Sequence, residues 1–260
     1  LILLKTKFTV PEIANELKLN YNALRLFIKR NISEKEYSLI KVIDKSLPDK
    51  SRELTPELAY LIGVIYGDGY FGENAIRLGT KDKDFADYFI NVGKKWCDKL
   101  PLIYLATKNN KPYYECYLSF KAAFLFVKNI VGERKEIPDR ILNANEEITI
   151  NFIKGFTDSE GTIIVKNNAC TLKVYNKNKK ILAQIKEMML KVGFDNKKLY
   201  IVPNNNCKNG IVYALRICYK DQIRLFYEKI GFTINRKQIK LERFFNNISI
   251  GGDVGMASIV

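Results

Sequence analysis

Residues 58–69 read Leu-Ala-Tyr-Leu-Ile-Gly-Val-Ile-Tyr-Gly-Asp-Gly, and a looser copy, Asn-Phe-Ile-Lys-Gly-Phe-Thr-Asp-Ser-Glu-Gly, occupies residues 151–161, 92 positions further on. At helical spacing Ala59, Gly63 and Gly67 fall at i, i+4 and i+8, and Asn151, Gly155 and Ser159 form the matching stripe. Stripes of small residues let backbones approach, so the two copies are expected to pack on each other through these faces. Each copy ends on an acid followed by glycine, Asp68-Gly69 and Glu160-Gly161, a pattern that suits a helix stopped by a left-handed glycine. A carboxylate in that place faces the negative end of the helix dipole, at a cost of about 0.3–1 kcal/mol. The same misplaced charge in both copies points to a cation that neutralises it.

Composition narrows the function classes. Forty-three basic residues against 28 acidic ones give a net charge of +15, which favours a polyanionic partner and fast, salt-sensitive association with nucleic acid. Histidine is absent, which removes His-activated nucleophiles and His-metal centres. The five cysteines (Cys97, Cys116, Cys170, Cys207, Cys218) are odd in number with no pair at metal-ligand spacing, as in reduced intracellular thiols. No apolar run approaches the ~20 residues of a membrane span, so a soluble, cytoplasmic protein acting on DNA is expected.

Along the chain, residues 6–30 read as two short helices. Thr9 and Pro11 open the first, Ile13, Ala14 and Leu17 give its apolar face, and Leu24, Phe27 and Ile28 give the face of the second. This is a helix-turn-helix-like pattern that would offer Asn20, Tyr21, Asn22, Arg25 and Lys29 to DNA; a helical brace is the alternative. Residues 31–55 are charged and read as a boundary. Each half then repeats one order: motif helix, two strands, helix, two strands, helix. The strands fall at residues 70–72, 74–80, 102–108 and 113–120, then 162–166, 169–175, 198–203 and 211–219. Helices fall at residues 83–100, 121–131, 179–192 and 221–230. Alternation turns Ile76, Leu78, Leu118, Leu172, Val174, Leu215 and Ile217 inward, and turns Arg77, Lys81, Glu115, Tyr117, Lys173, Tyr175, Lys177 and Arg216 outward. Two curved antiparallel sheets with one apolar and one cationic face would form a saddle for duplex DNA.

With both motifs in view, the chain resembles the LAGLIDADG homing endonucleases in their single-chain, two-motif, archaeal form, over roughly residues 54–245. The first motif is the stronger match; the second departs in Glu160 for Asp, and in Asn151 and Lys154 where apolar or small residues are usual. The resemblance implies an α+β fold of two pseudo-symmetric αββαββα halves with saddle-shaped DNA-binding sheets, packed through the paired motif helices, beside a small all-α N-terminal domain. The expected organisation is a helix-turn-helix-like domain at 1–50, halves at 54–145 and 146–246, and a flexible tail at 247–260.

The resemblance also implies a site-specific double-strand DNA endonuclease of the intron- or intein-encoded kind, a monomer with a long asymmetric target. Asp68 and Glu160 would hold Mg2+, with Mn2+ able to substitute, and the backbone carbonyls of Gly67 and Ser159 are further candidate ligands. Lys81 and Lys177 stand at equivalent strand ends, where the resemblance places them near the scissile phosphates as catalytic groups or as simple phosphate contacts. Arg77, Tyr117, Lys173, Tyr175, Asn176 and Arg216 are the expected DNA contacts of the sheets. Asp158 lies about 200° round the helix from Glu160 and is expected to take no part. The alternatives on the same scaffold are a catalytically inactive DNA-binding regulator and an RNA maturase.

Overall fold

The computed structural model describes residues 10–33, 47–108, 110–167, 169–204 and 211–251. At the N-terminal end, α1 (Val10–Glu16) and α2 (Tyr21–Asn31) share a small core of Val10, Ile13, Ala14, Leu24 and Ile28, with Tyr21 and Ile32 packed against it. Asn20 is exposed, and its side chain is engaged at the start of α2. Its Oδ1 accepts the backbone N–H groups of Asn22 at 2.9 Å and Ala23 at 3.2 Å, which caps α2. Leu17 and Phe27, read as apolar-face residues, are 47% and 53% exposed, because α1 stops at Glu16 and the α2 seam runs through Leu24 and Ile28. Thr9 lies outside the described residues, as does most of the boundary stretch, at 34–46.

Residues 47–53, assigned to that boundary for their charge, are built into the first half. Ser51 Oγ donates to the Trp96 carbonyl at 2.6 Å, Trp96 Nε1 returns a bond to the Ser51 carbonyl at 2.9 Å, and the Arg52 guanidinium holds the Leu47 carbonyl. The first half continues through α3 (Pro56–Tyr66), β1 (Tyr70–Phe71), β2 (Ile76–Thr80), α4 (Lys83–Cys97), β3 (Leu102–Lys108), β4 (Lys111–Leu118) and α5 (Lys121–Val131). A connector carrying the short α6 (Asp139–Leu142) crosses to the second half, pinned there by Ile137 N donating to Gln184 at 2.8 Å. The second half is α7 (Glu146–Glu160), β5 (Gly161–Lys166), β6 (Ala169–Asn176), α8 (Lys179–Lys191), β7 (Leu199–Asn204), β8 (Val212–Ile217) and α9 (Lys220–Lys229). A final helix, α10 (Asn235–Gly251), was not anticipated. It runs into the stretch read as a tail; residues 252–260 lie outside the description.

The duplication is explicit in the topology: two antiparallel four-stranded sheets with orders β1-β2-β4-β3 and β5-β6-β8-β7. Alternation places the strand faces as read, with Ile76, Leu78, Leu118, Leu172, Val174, Leu215 and Ile217 almost fully buried. The α+β class, the paired halves and the packing of the motif helices are therefore as expected. Thr55 caps α3 through Leu58 N, with Pro56 in the first turn, and Asn145 caps α7 through Ile148 N.

α3 and α7 make the most extensive contact between helices, and its centre is reciprocal. A Cβ on Gly63 would lie 2.2 Å from the Phe152 carbonyl oxygen, and one on Gly155 would lie 2.2 Å from the Tyr60 carbonyl oxygen. Ala59 is wholly buried, and Gly67 abuts the Ser159 side chain. Asn151 is half-buried and turns its Nδ2 back to the Glu147 carbonyl of its own helix, so it extends the stripe only loosely. One expectation fails outright. Neither Gly69 nor Gly161 is left-handed, and Gly161 has φ −81°. Glycine is required there because a Cβ would meet the Val64 carbonyl at 2.9 Å and the Thr157 carbonyl at 2.4 Å, respectively. The chain must turn against the end of the helix it has just left.

Substituting Gly63→Ala or Gly155→Ala therefore forces the two helix axes apart. Each change is expected to lower stability by about 2 kcal/mol or more in denaturant unfolding. The double variant should lose less than the sum, since one separation relieves both clashes. Losses below about 0.5 kcal/mol would show that the backbones do not touch.

Candidate active site

The helix pairing brings the two motif acids to one place. α7 ends on Glu160, and α3 ends just before Gly67 and Asp68. A Cβ built on Gly67 would lie 3.2 Å from Glu160 Cγ, so the two helix ends share a single junction. Both carboxyls are displaced upward. Burial is the main cause for Glu160, followed by the charge of Asp68, and together they push it to about 7. Asp68 is raised by burial first, with Lys237 opposing and Asp82 adding to the rise.

Lys237 is the residue that sequence reasoning missed. It lies in the first turn of α10, is 6% exposed, and donates from Nζ to the carbonyls of Asp158 and, at 3.5 Å, Thr157. Burial lowers its pKa to about 8 against the pull of the surrounding carboxylates. The first half places a different cation in the related position: Arg134 NH1 donates to the Ile65 carbonyl at 2.8 Å and the Gly69 carbonyl at 3.1 Å. Ile65 and Gly69 are the motif counterparts of Thr157 and Gly161.

Asp158 points away from this junction. Its carboxylate accepts from Tyr60 Oη at 2.9 Å, Thr233 N at 2.9 Å and Thr233 Oγ1 at 2.7 Å, a buried knot tying α3, α7 and the segment before α10 together. α10 is also tied to the first half. Arg236 forks onto Asp82 at 2.6 and 2.8 Å, and the Asn235 N–H meets Asp84. Lys237 is thus delivered by a helix anchored on both halves.

The other residues singled out from the sequence fall as follows. Lys81 and Lys177 are exposed; Lys81 borders an open depression of about 520 Å³ with Asp82, Lys83, Asp84, Asp87, Asn235 and Arg236. Arg77 and Tyr117 stand opposite each other on the outward face of the first sheet, as do Lys173 and Arg216 on the second. Tyr175 is half-buried, and Asn176 Oδ1 accepts the Asn178 N–H. In the N-terminal unit Asn22 and Lys29 are exposed, Arg25 is half-buried, and Tyr21 packs on the small core. The outward face of the first sheet carries Tyr70, Tyr104, Tyr113 and Tyr117 around Arg77, together with Glu115 and, opposite each other at the β3–β4 turn, Lys108 and Lys111.

A family profile describing a LAGLIDADG-like domain matches residues 147–231, the second half from its motif helix to the end of α9. The second half therefore matches a LAGLIDADG-like domain. An uncharacterized protein of Methanocaldococcus jannaschii is 26% identical over 253 residues, spanning 91% of this chain and 86% of that one. Among solved structures, the N-terminal LAGLIDADG domain of DUF199/WhiA superposes with a TM-score of 0.52 at 17% identity, covering 82% of this chain and 96% of the other. The homing endonuclease I-DmoI in complex with DNA and Ca gives a TM-score of 0.48 at 21% identity, covering 73% and 98%.

The junction suits a hard divalent cation. Its donors are two carboxylates that have lost solvent, the charge of Asp68 raising Glu160 further. Among the described residues no group of three or more His, Cys, Asp or Glu side chains could form a richer cage. A site of this kind would leave several coordination positions to water and to a ligand's oxygens.

The same displacements set a pH dependence for the metal-free protein. The Glu160 carboxyl sits at about 7 against the ordinary 4.5, so the unfolded chain ionises first and stability falls as pH rises from about 4.5 to 7. The Lys237 ammonium sits at about 8 against 10.5, so the unfolded chain holds its proton longer and stability recovers between about 8 and 10.5. Chelator-treated protein is expected to melt lowest between pH 7 and 8, each limb amounting to roughly 3 kcal/mol. Glu160→Gln should shrink the acid-side limb and leave the alkaline one. A melting temperature that is flat from pH 5 to 9 would contradict this account.

Proposed function

We propose that this chain is a site-specific double-strand DNA endonuclease whose hydrolysis depends on a divalent metal, Mg2+ with Mn2+ as substitute. The observation that carries the reading is the junction itself: each half contributes one desolvated carboxylate, Asp68 or Glu160, to a single point, and an anchored lysine is buried beside them. Core packing accounts for the glycines of the motif helices but not for two buried acids kept together at a cost.

Asp68 and Glu160 would hold the metal, with the Gly67 and Ser159 carbonyls as further donors. The bound ion supplies Lewis-acid neutralisation of the phosphodiester and an acidified water. The chain's own groups do the rest. As an ammonium, Lys237 stabilises negative charge gathering on the phosphate; as a free amine, which its position near 8 makes accessible, it accepts a proton. Lys81 and Lys177, exposed at equivalent strand ends, contact the flanking phosphates. The outward faces of the sheets bind the duplex through Arg77, Tyr117, Lys173, Tyr175 and Arg216. The N-terminal unit adds a helix-turn-helix-like contact through Tyr21, Asn22, Arg25 and Lys29. Two motifs in one chain support a monomer with a long asymmetric target, of the kind encoded within an intron or intein.

Incubation of the purified protein with a pooled library of long duplexes and Mg2+ should give staggered double-strand cuts at one sequence. Asp68→Asn or Glu160→Gln should abolish the cuts or reduce them to nicks, and Lys237→Met should slow cleavage by about 10²-fold or more with binding preserved. Tight selection of one duplex without cutting under Mg2+ or Mn2+ would replace the endonuclease with a binding regulator.

A further inference from the structure

The two sheets present the same row of outward positions with different chemistry. In the first sheet the row runs Tyr70, Arg77, Tyr117, Leu102; in the second the corresponding row runs Thr162, Lys173, Arg216, Tyr200. At the centre of the second row two cations stand directly opposite each other. Like charges so placed destabilise an antiparallel pair. Neither is in an ion pair among the described residues, and no outward position on the described strands of that sheet carries an acid. Such a face is satisfied when a polyanion lies across it.

The first row holds its cation against an aromatic ring. The Arg77 guanidinium lies 4.8 Å over the Tyr117 ring, Tyr117 Oη donates to Glu115, and Tyr104 meets the Tyr117 ring edge-on at 5.5 Å. The one central cation therefore lies on an aromatic ring, with its buried Nε making no hydrogen bond among the described residues. Along this row the exposed surface is largely apolar: Tyr70 is 43% exposed, Leu102 48% and Tyr104 54%, with Lys108 and Lys111 beyond it at the β3–β4 turn.

We propose that the two sheets read compositionally different half-sites of the target: the second reads guanine-containing pairs through Arg216 and Lys173, and the first reads A·T pairs through thymine methyl groups packed on Tyr104, Tyr117 and Leu102. This rests on the DNA-binding reading above. The chemistry is that of the major groove, where guanine offers O6 and N7 to a forked guanidinium or an ammonium, and thymine offers a methyl group to apolar side chains. Lys173 and Arg216 also displace counterions, which makes their contribution salt-sensitive.

The test is selection of randomised long duplexes by the full chain in chelator, so that binding is read without cleavage. Guanine enrichment confined to one half of the selected site, with A·T enrichment in the other, is expected. Arg216→Ala should weaken binding to the selected site on the order of tenfold or more, erase the guanine preference, and flatten the salt dependence by about one unit of slope. Arg216→Lys should keep the salt slope and lose much of the base preference, an outcome that a merely unfolded variant would not give. Tyr104→Ala should alter preference only in the A·T half and leave the salt slope unchanged. Equal guanine enrichment in both halves, or both alanine variants acting on the same half, would overturn the proposal while leaving DNA binding intact. Failure to select any duplex would remove the DNA-binding reading, and this inference with it.

Discussion

Everything in this molecule depends on the approach of two peptide backbones at Gly63 and Gly155. Each glycine faces a carbonyl oxygen of the opposite helix at a distance that excludes even a methyl group. Because the contact is reciprocal, it fixes translation along the helices as well as their separation, and so it fixes which residues meet at the far end. Those residues are Gly67 and Asp68 on one side and Ser159 and Glu160 on the other. A looser pairing would leave the two carboxylates in water with ordinary proton affinities. Here both lose solvent, and Glu160 also feels the charge of Asp68.

The charge balance of the junction follows from that burial. The environment that raises the acids lowers Lys237, so all three groups move toward their neutral forms. Lys237 cannot escape to solvent, because α10 is held to the first half by the Arg236–Asp82 fork and to the second by the residues around Thr233. A junction built this way has an electrostatic debt that a dication would discharge more fully than one lysine can. The Tyr60–Asp158–Thr233 knot shows what the fold does with a buried carboxylate meant only for structure: it surrounds it with three donors. No such shell surrounds Asp68 or Glu160 among the described residues.

What the sequence made legible was whatever repeats or alternates. Period-two patterning assigned the strand faces, and the motif copies assigned the helix pair and both acids, because each signal is local and present twice. Lys237 was invisible for the opposite reason. It sits in a helix with no motif, among exposed residues such as Ile239 and buried ones such as Leu241, and only tertiary burial separates it from dozens of solvated lysines. The acid-glycine endings were read as left-handed caps since that local signal is common. The constraint is the neighbouring carbonyl, which no one-dimensional pattern encodes. Residues 47–53 misled in the same way, since their charged composition conceals the Ser51–Trp96 exchange that binds them to α4.

A duplicated chain differs from a symmetric dimer in that its halves can diverge, and divergence has gone furthest where the halves would meet a ligand. The cores repeat almost residue for residue, with Ile76 and Leu78 answered by Leu172 and Val174. Lys81 is answered by Lys177, but most of the candidate site positions do not repeat. Asp68 is answered by Glu160, Arg134 by Lys237, and the Arg77–Tyr117 pair by Lys173–Arg216. An arginine stays charged at any physiological pH, whereas a lysine near 8 does not, so the two strands of a bound duplex would meet chemically unequal groups at the junction. Packing demands symmetry of the scaffold, while nothing in packing demands it of the surface. A single chain can therefore keep the helix contact that builds the site and still match each sheet to a different sequence.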